Sequence, residues 1–144
     1  MTRLLAVLVL LAPAAAMAGH ELDGRDLRNG QVLYKEHCAS CHGAELEGQP
    51  NWRRIGEDGL LPAPPHDATG HTWHHDNRLL FDYTKLGGKG LMEARGITGF
   101  KSGMEGFADA LSDDEIWDIL AFIRSTWPER IRKIQASRNP PHDR

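Results

Sequence analysis

The chain has 144 residues, of which 40% are hydrophobic and 26% are charged, and its formal net charge is −3. A length of this order suits one domain, and so mild a charge argues against non-specific binding to nucleic acid. No stretch after the N-terminal segment is apolar enough to predict a membrane span in the mature chain.

Residues 1–18 form a predicted secretory signal peptide. Arg3 supplies a positive charge, residues 4–12 are apolar, and residues 16–18 have a small-x-small cleavage pattern. An uncleaved anchor is the alternative, but the apolar run is shorter than the ~20 residues of a bilayer span and is interrupted by Pro13. Cleavage removes one of the basic residues and leaves a net charge of −4. We therefore expect an exported protein, with a bacterial periplasm as the simplest compartment.

The first helix is predicted from Asp26 to Cys38, with Asp26 as its N-terminal cap. Leu27, Gly30, Tyr34 and Cys38 lie on one stripe of this helix. Because a glycine inside a helix costs about 1 kcal/mol relative to alanine, Gly30 predicts close approach of another helix beside Tyr34. The alternative is that Gly30 breaks the segment in two.

The segment Cys38-Ala39-Ser40-Cys41-His42 contains both cysteines of the chain. Two thiols at this spacing can each bond a vinyl group of a porphyrin, which brings His42 under the iron as the proximal ligand. A disulfide redox pair and half of a zinc site are the alternatives. No second cysteine pair exists, and a helix rather than a strand precedes the motif. The motif therefore predicts one covalent haem c, and export agrees with it.

Residues 43–70 are rich in glycine and proline and are predicted to form a long loop around the proximal side of the haem. A backbone carbonyl near Pro50 or Pro64 is expected to accept a hydrogen bond from the second nitrogen of His42. The sequence does not choose between these prolines. Residues 51–54, Asn-Trp-Arg-Arg, offer hydrogen-bond donors to the haem propionates, or form an exposed basic turn.

Three histidines follow the loop. His71, His74 and His75 lie close to Asp76, a set that can bind copper or zinc. The alternative is a polar loop in which Trp73 and the histidines bond the haem propionates or cap the next helix.

A middle helix is predicted from His75 to Leu86, with Asp76 as a possible cap. The adjacent glycines Gly87 and Gly88 are expected to end it. From Lys89 to Gly103 the chain is predicted to be irregular.

Met92 and Met104 are the methionines available as a second iron ligand. Met104 is favoured because it lies in the Gly-rich stretch of residues 102–107, just before the last helix. A thioether ligand stabilises ferrous iron and raises its reduction potential. The alternatives are Met92, a histidine or an open site, and any lone methionine can also simply fill a core.

The last helix has the clearest start signal. Ser112 and Glu115 have the spacing of a capping box, and apolar residues recur at helical intervals up to Trp127. Pro128 is predicted to end or kink the helix. A short basic amphipathic segment is expected over residues 129–135. The domain is predicted over residues 19–136, followed by a mobile polar tail over residues 137–144.

The chain resembles the class I cytochrome c family. The resemblance is carried by residues 30–43, GQVLYKEHCASCHG, and by the stretch from Met104 through residues 113–117, DDEIW, to Trp127. It implies a small all-α domain in which the N- and C-terminal helices cross around one covalent haem. It also implies thioether bonds from Cys38 and Cys41, with His42 proximal and Met104 distal. Many relatives have proline after the ligand methionine, where this chain has glutamate.

We expect a soluble periplasmic carrier of single electrons and not an enzyme. Its partners are predicted to be redox proteins that dock transiently, with the carrier a monomer or loosely associated with a larger oxidoreductase. A haem enzyme or small-ligand sensor with a displaceable distal ligand is one alternative. A copper- or zinc-handling protein that uses His71, His74 and His75 is the other.

Overall fold

The computed structural model describes residues 21–140, which form helices and connecting loops with no strand in that range. The predicted all-α class is confirmed, whereas the predicted signal peptide lies outside the described residues. Over residues 21–140, no helix combines the length and the apolar character needed to cross a bilayer. The helices are α1 (Leu27–His37), α2 (Ala39–His42), α3 (Asn77–Ala94), α4 (Asp113–Ser125) and α5 (Glu129–Ala136), with a 3-10 turn at Thr72–His74.

The most extensive helix packing is between α1 and α4. Helix α1 begins after Asp26, whose side chain accepts hydrogen bonds from the backbone N–H groups of Arg28 and Asn29. At Gly30 the backbone of α4 is so close that a β-carbon would overlap the carbonyl of Asp118. The predicted close approach at Gly30 is therefore confirmed, and the helix is not broken there.

The core between these helices is built mainly by α4. Its buried side chains are Ile116, Ile119, Leu120, Ala121 and Ile123. The capping box is confirmed, because Ser112 Oγ accepts from Glu115 N–H while the Glu115 carboxylate accepts from Ser112 N–H. This pair satisfies two backbone donors that a helix start otherwise leaves free.

Helix α3 is longer than predicted. Its cap is confirmed, since Asp76 accepts a hydrogen bond from Leu79 N–H at 2.7 Å. The expected helix end at Gly87-Gly88 is confirmed at Gly87, whose backbone is not helical (φ 72°, ψ 164°) and divides α3 into two helical segments. The expectation that residues 89–94 are irregular is wrong, because the second helical segment continues to Ala94. Glycine adopts this positive φ without the steric cost of a β-carbon.

The C-terminal segment folds back on the start of α3. Pro128 separates α4 from α5, as predicted. The fully buried amide of Gln135 donates to Asn77 Oδ1 at 2.7 Å, and Asn139 Oδ1 accepts from Asn77 N–H at 2.7 Å. The domain limits of 19–136 and 137–144 remain predictions, since residues 1–20 and 141–144 lie outside the described range.

Candidate functional site

The two cysteines and His42 lie together where α1 gives way to α2. Cys38 is the last capping residue of α1 and is buried, Cys41 is exposed, and both are free thiols. Burial, and then the neighbouring Cys41, raise the pKa of the Cys38 thiol to about 11. Disulfide redox pairs lower the pKa of their attacking thiol, so the raised pKa of Cys38 does not favour that alternative.

The His42 ring is fixed at one nitrogen. Its Nδ1 lies 2.8 Å from the carbonyl oxygen of Pro64. Of the two expected acceptors, Pro64 and not Pro50 therefore bonds the ring. No other hydrogen bond reaches the ring within residues 21–140, so Nε2 is free to bind a metal. Burial lowers the pKa of His42, and the Pro64 hydrogen bond opposes this only in part. The ring is therefore held neutral, the state that ligates iron.

A second imidazole lies against the face of His42. The His66 ring stacks on the His42 ring with centroids 3.9 Å apart and planes 19° apart. Sequence analysis assigned His66 no role, because a single histidine after two prolines carries no local signal of such a contact. Only the course of the loop between α2 and α3 brings the two rings together.

Met104 lies in the connection between α3 and α4, in a loop of residues 102–108 that we call the Met104 loop. Three backbone hydrogen bonds of 3.1 Å bind this loop to α3: Gly88 N–H to Met104 O, Phe107 N–H to Thr84 O, and Ala108 N–H to Lys85 O. The bend at Gly87 frees these groups of α3 from helical pairing. Ser102 Oγ additionally accepts from Met104 N–H at 3.1 Å.

The Met104 loop also contacts the end of α1. The Phe107 ring lies edge-on to the His37 ring, with centroids 6.1 Å apart. His37 is the residue before Cys38, and Phe107 is three residues after Met104. The fold therefore brings the loop that carries the candidate distal ligand to the helix that carries the attachment motif.

Comparison with family models decides which family this arrangement represents. The model for cytochrome c matches residues 27–127, which is well over half of the chain. The chain belongs to the cytochrome c family. Comparison with curated proteins gives no match, and neither does comparison with solved structures. As a cytochrome c domain, the chain is a haem-based electron-transfer protein, and the family implies a covalently bound haem c.

The residues of this cytochrome c fit a haem. Leu86 and Met104 line a groove of about 400 Å³, but Lys89, Glu93 and Glu105 line it as well, and Cys38, Cys41 and His42 do not. This groove therefore does not locate the haem. The buried imidazole nitrogen His71 Nδ1 has no hydrogen-bond partner within residues 21–140. Buried polar atoms are normally paired, so this nitrogen fits a site completed by a polar group outside the polypeptide.

The predicted donors of residues 51–54 pack beside His71. The Trp52 ring stacks on the His71 ring, with centroids 5.2 Å and planes 11° apart, and the Arg53 guanidinium lies 4.1 Å from the centroid of the Trp52 ring. Trp73, however, donates its Nε1–H to Ala68 O at 3.3 Å. Trp73 is thus bonded to the backbone, whereas the indole N–H of Trp52 has no hydrogen bond within residues 21–140.

The three histidines do not form a metal centre. His71 and His75 meet edge-on at 5.3 Å, whereas His74 packs against Trp73 at 3.8 Å. Across residues 21–140, no group of three or more His, Cys, Asp and Glu side chains is arranged to hold a metal ion. The geometry therefore does not favour the copper- or zinc-handling alternative.

Proposed function

We propose that this cytochrome c is a periplasmic single-electron carrier with one haem, bonded through Cys38 and Cys41 and ligated by His42 and Met104. The observation that carries the proposal is the geometry of His42. One ring nitrogen is bound to the Pro64 carbonyl at 2.8 Å, the other has no partner in the described chain, and both thiols lie on the same turn. This is the donor set that a covalent haem requires.

The haem, when bound, supplies an iron that accepts and releases one electron. The chain supplies everything else. Pro64 holds the His42 ring and makes it a better electron donor to the metal. The α1–α4 crossing at Gly30 and the stack of Phe81 on Trp117, at 4.4 Å, hold the helices around the site. Rigid support keeps the two ligands in place in both redox states.

Met104 is proposed as the distal ligand over Met92. The Met104 loop is bound to the α3 bend and to His37 beside the attachment motif, as described above. Met92 is instead a residue of α3, where it follows the buried Leu91. A loop tied at both ends gives a thioether a defined position, and thioether ligation raises the reduction potential.

Export and partners complete the proposal. The signal peptide predicted over residues 1–18 directs the chain to the periplasm, where haem attachment takes place. Redox proteins dock there transiently through small interfaces, and the carrier acts as a monomer or in loose association with a larger oxidoreductase.

A redox titration of the exported protein tests this function. We expect a reversible one-electron transition, with a weak far-red band in the oxidised spectrum that reports sulfur bound to iron. Added carbon monoxide should leave the reduced spectrum unchanged. Rapid carbon monoxide binding or peroxide turnover by the unmodified protein would instead support the alternative of a haem enzyme or sensor with a displaceable distal ligand.

A further inference from the structure

The His66 ring packs between the proposed proximal ligand and the α1–α4 core. Its ring lies face to face with His42 at 3.9 Å and edge-on to Tyr34 at 5.9 Å. Tyr34 is itself fully buried and donates its hydroxyl to Gly43 O at 3.0 Å. The His66 ring is thus enclosed between the proposed proximal ligand and a residue of the α1–α4 core.

The backbone of His66 is fixed on both sides. Its N–H donates to Leu46 O at 2.8 Å, and its carbonyl accepts from Trp127 Nε1–H at 2.7 Å. Leu46 adopts a positive φ of 64°, which costs a bulky residue on the order of 1–3 kcal/mol and persists only where surrounding contacts enforce it. Trp127 is buried at the end of α4. The loop at Leu46 and the end of α4 at Trp127 therefore fix the backbone from which the His66 ring extends.

We propose that His66 is a positioning residue whose flat ring sets the rotation of the His42 ring about its bond to iron. The Cβ–Cγ bond and the Pro64 hydrogen bond anchor one edge of the His42 ring and leave its two faces without support. A flat ring stacked on one face limits the tilt and rotation that remain. The plane of an imidazole ligand decides how its π orbitals overlap with those of the metal, so fixing the plane tunes the electronic structure of the iron. This inference rests on the proposed ligation by His42.

Two substitutions separate the flat ring from the rest of the side chain. His66→Phe keeps a flat aromatic ring against His42 and removes both ring nitrogens. His66→Leu substitutes a side chain of similar size that has no flat ring. His74→Leu is the matched control, because that ring packs on Trp73 and not on His42. His66→Met replaces His66→Leu if the leucine variant does not mature.

The readout is the pattern of haem methyl resonances in the proton NMR spectrum of the oxidised protein, which follows the planes of the axial ligands. We expect His66→Phe and His74→Leu to keep the wild-type order and spread of these resonances. His66→Leu, or His66→Met, should change both. The electron paramagnetic resonance g values should shift in the same variants and in no others.

The inference is overturned if the non-aromatic variants keep the wild-type pattern, or if His66→Phe changes it as strongly as they do. Either result leaves the proposed electron carrier intact provided that the far-red sulfur band persists. Failure of the electron-carrier proposal would be seen differently, because the wild-type protein would then lack either the attached haem or the far-red sulfur band.

Discussion

The two proposed iron ligands are held in contrasting ways. His42 belongs to a helix, its ring is buried, and side-chain contacts with Pro64 and His66 fix both an atom and a face. Met104 belongs to a loop and is positioned through its backbone, by Gly88 N–H and Ser102 Oγ. The proximal ligand is therefore fixed directly, whereas the distal side chain depends on how well its loop is bound to α3.

This difference teaches where the site should be sensitive. Contacts to the His42 ring act on the ligand itself, so their loss changes the geometry at the metal. Contacts to the Met104 loop act on a segment that can detach while the rest of the fold persists. Three substitutions test this contrast, and the pH dependence of stability tests the histidines that precede α3.

Replacing Met104 removes the distal ligand without touching the attachment. We expect Met104→Ala to lose the far-red sulfur band, to bind carbon monoxide when reduced, and to retain its covalent haem. Met92→Ala is the control and should keep the wild-type spectrum. If Met104→Ala retained the far-red sulfur band, Met104 would not be the distal ligand.

The bend at Gly87 is the next most sensitive position. Gly87→Ala places a β-carbon where φ is 72° and against the backbone of Gly106, which costs on the order of 1–3 kcal/mol. We expect a lower denaturation midpoint and a sulfur band that disappears at lower denaturant concentration than the helical signal.

The control for this substitution lies three residues further along α3. Gly90→Ala meets no atom closer than 3.6 Å and should be neutral or stabilising by up to about 1 kcal/mol. Equal effects of the two alanines would show that the bend does not hold the Met104 loop.

The bond from Trp127 to His66 tests the proximal side. Trp127→Phe leaves the His66 carbonyl without its donor and should destabilise the protein by roughly 1–3 kcal/mol, as for other unpaired buried groups. The sulfur band should persist, because this contact does not reach the Met104 loop. Trp73→Phe removes a longer indole bond, of 3.3 Å, and should cost less. If Trp127→Phe lost the sulfur band before it lost its helical signal, the contacts of His66 and the Met104 loop would not be independent.

The smallest expected effect is on the pH dependence of stability. Burial, followed by His75, His74 and Arg53, lowers the pKa of His71, and burial lowers that of His75. A lowered histidine pKa means that the folded state disfavours the proton, so this stability is complete above the ordinary value of about 6.5 and is lost as pH falls.

The measurement is the free energy of unfolding between about pH 7 and pH 5, an interval that includes the ordinary histidine pKa of about 6.5. His71→Phe keeps a ring against Trp52 and removes one titrating group, so its decline in stability over this interval should be shallower than in the wild type. A decline that is unchanged or steeper would contradict the assignment.

The parts of the fold that were predictable are those with local causes. Asp26, Asp76 and Ser112 cap helices through hydrogen bonds to residues two or three positions away, and Gly30 needed only the expectation of a crossing partner. The attachment motif is likewise local.

The remaining features depend on distant residues. The bend at Gly87 continues into a helix because the Met104 loop, about twenty positions along the chain, binds the groups it frees. Pro64 rather than Pro50 reaches His42 because of the path of the whole loop. His66 acquires its role from Leu46 and Trp127, which are 20 and 61 residues away in the sequence. No local pattern reports such contacts.

The most direct test of the account is the mass of the mature, exported chain under denaturing conditions. We predict the mass of the chain plus one haem, retained in Met104→Ala, and a purely apo mass when Cys38 and Cys41 are both replaced by alanine. A wild-type chain recovered from a host competent in haem attachment at the apo mass, with its two thiols joined as a disulfide, would contradict it.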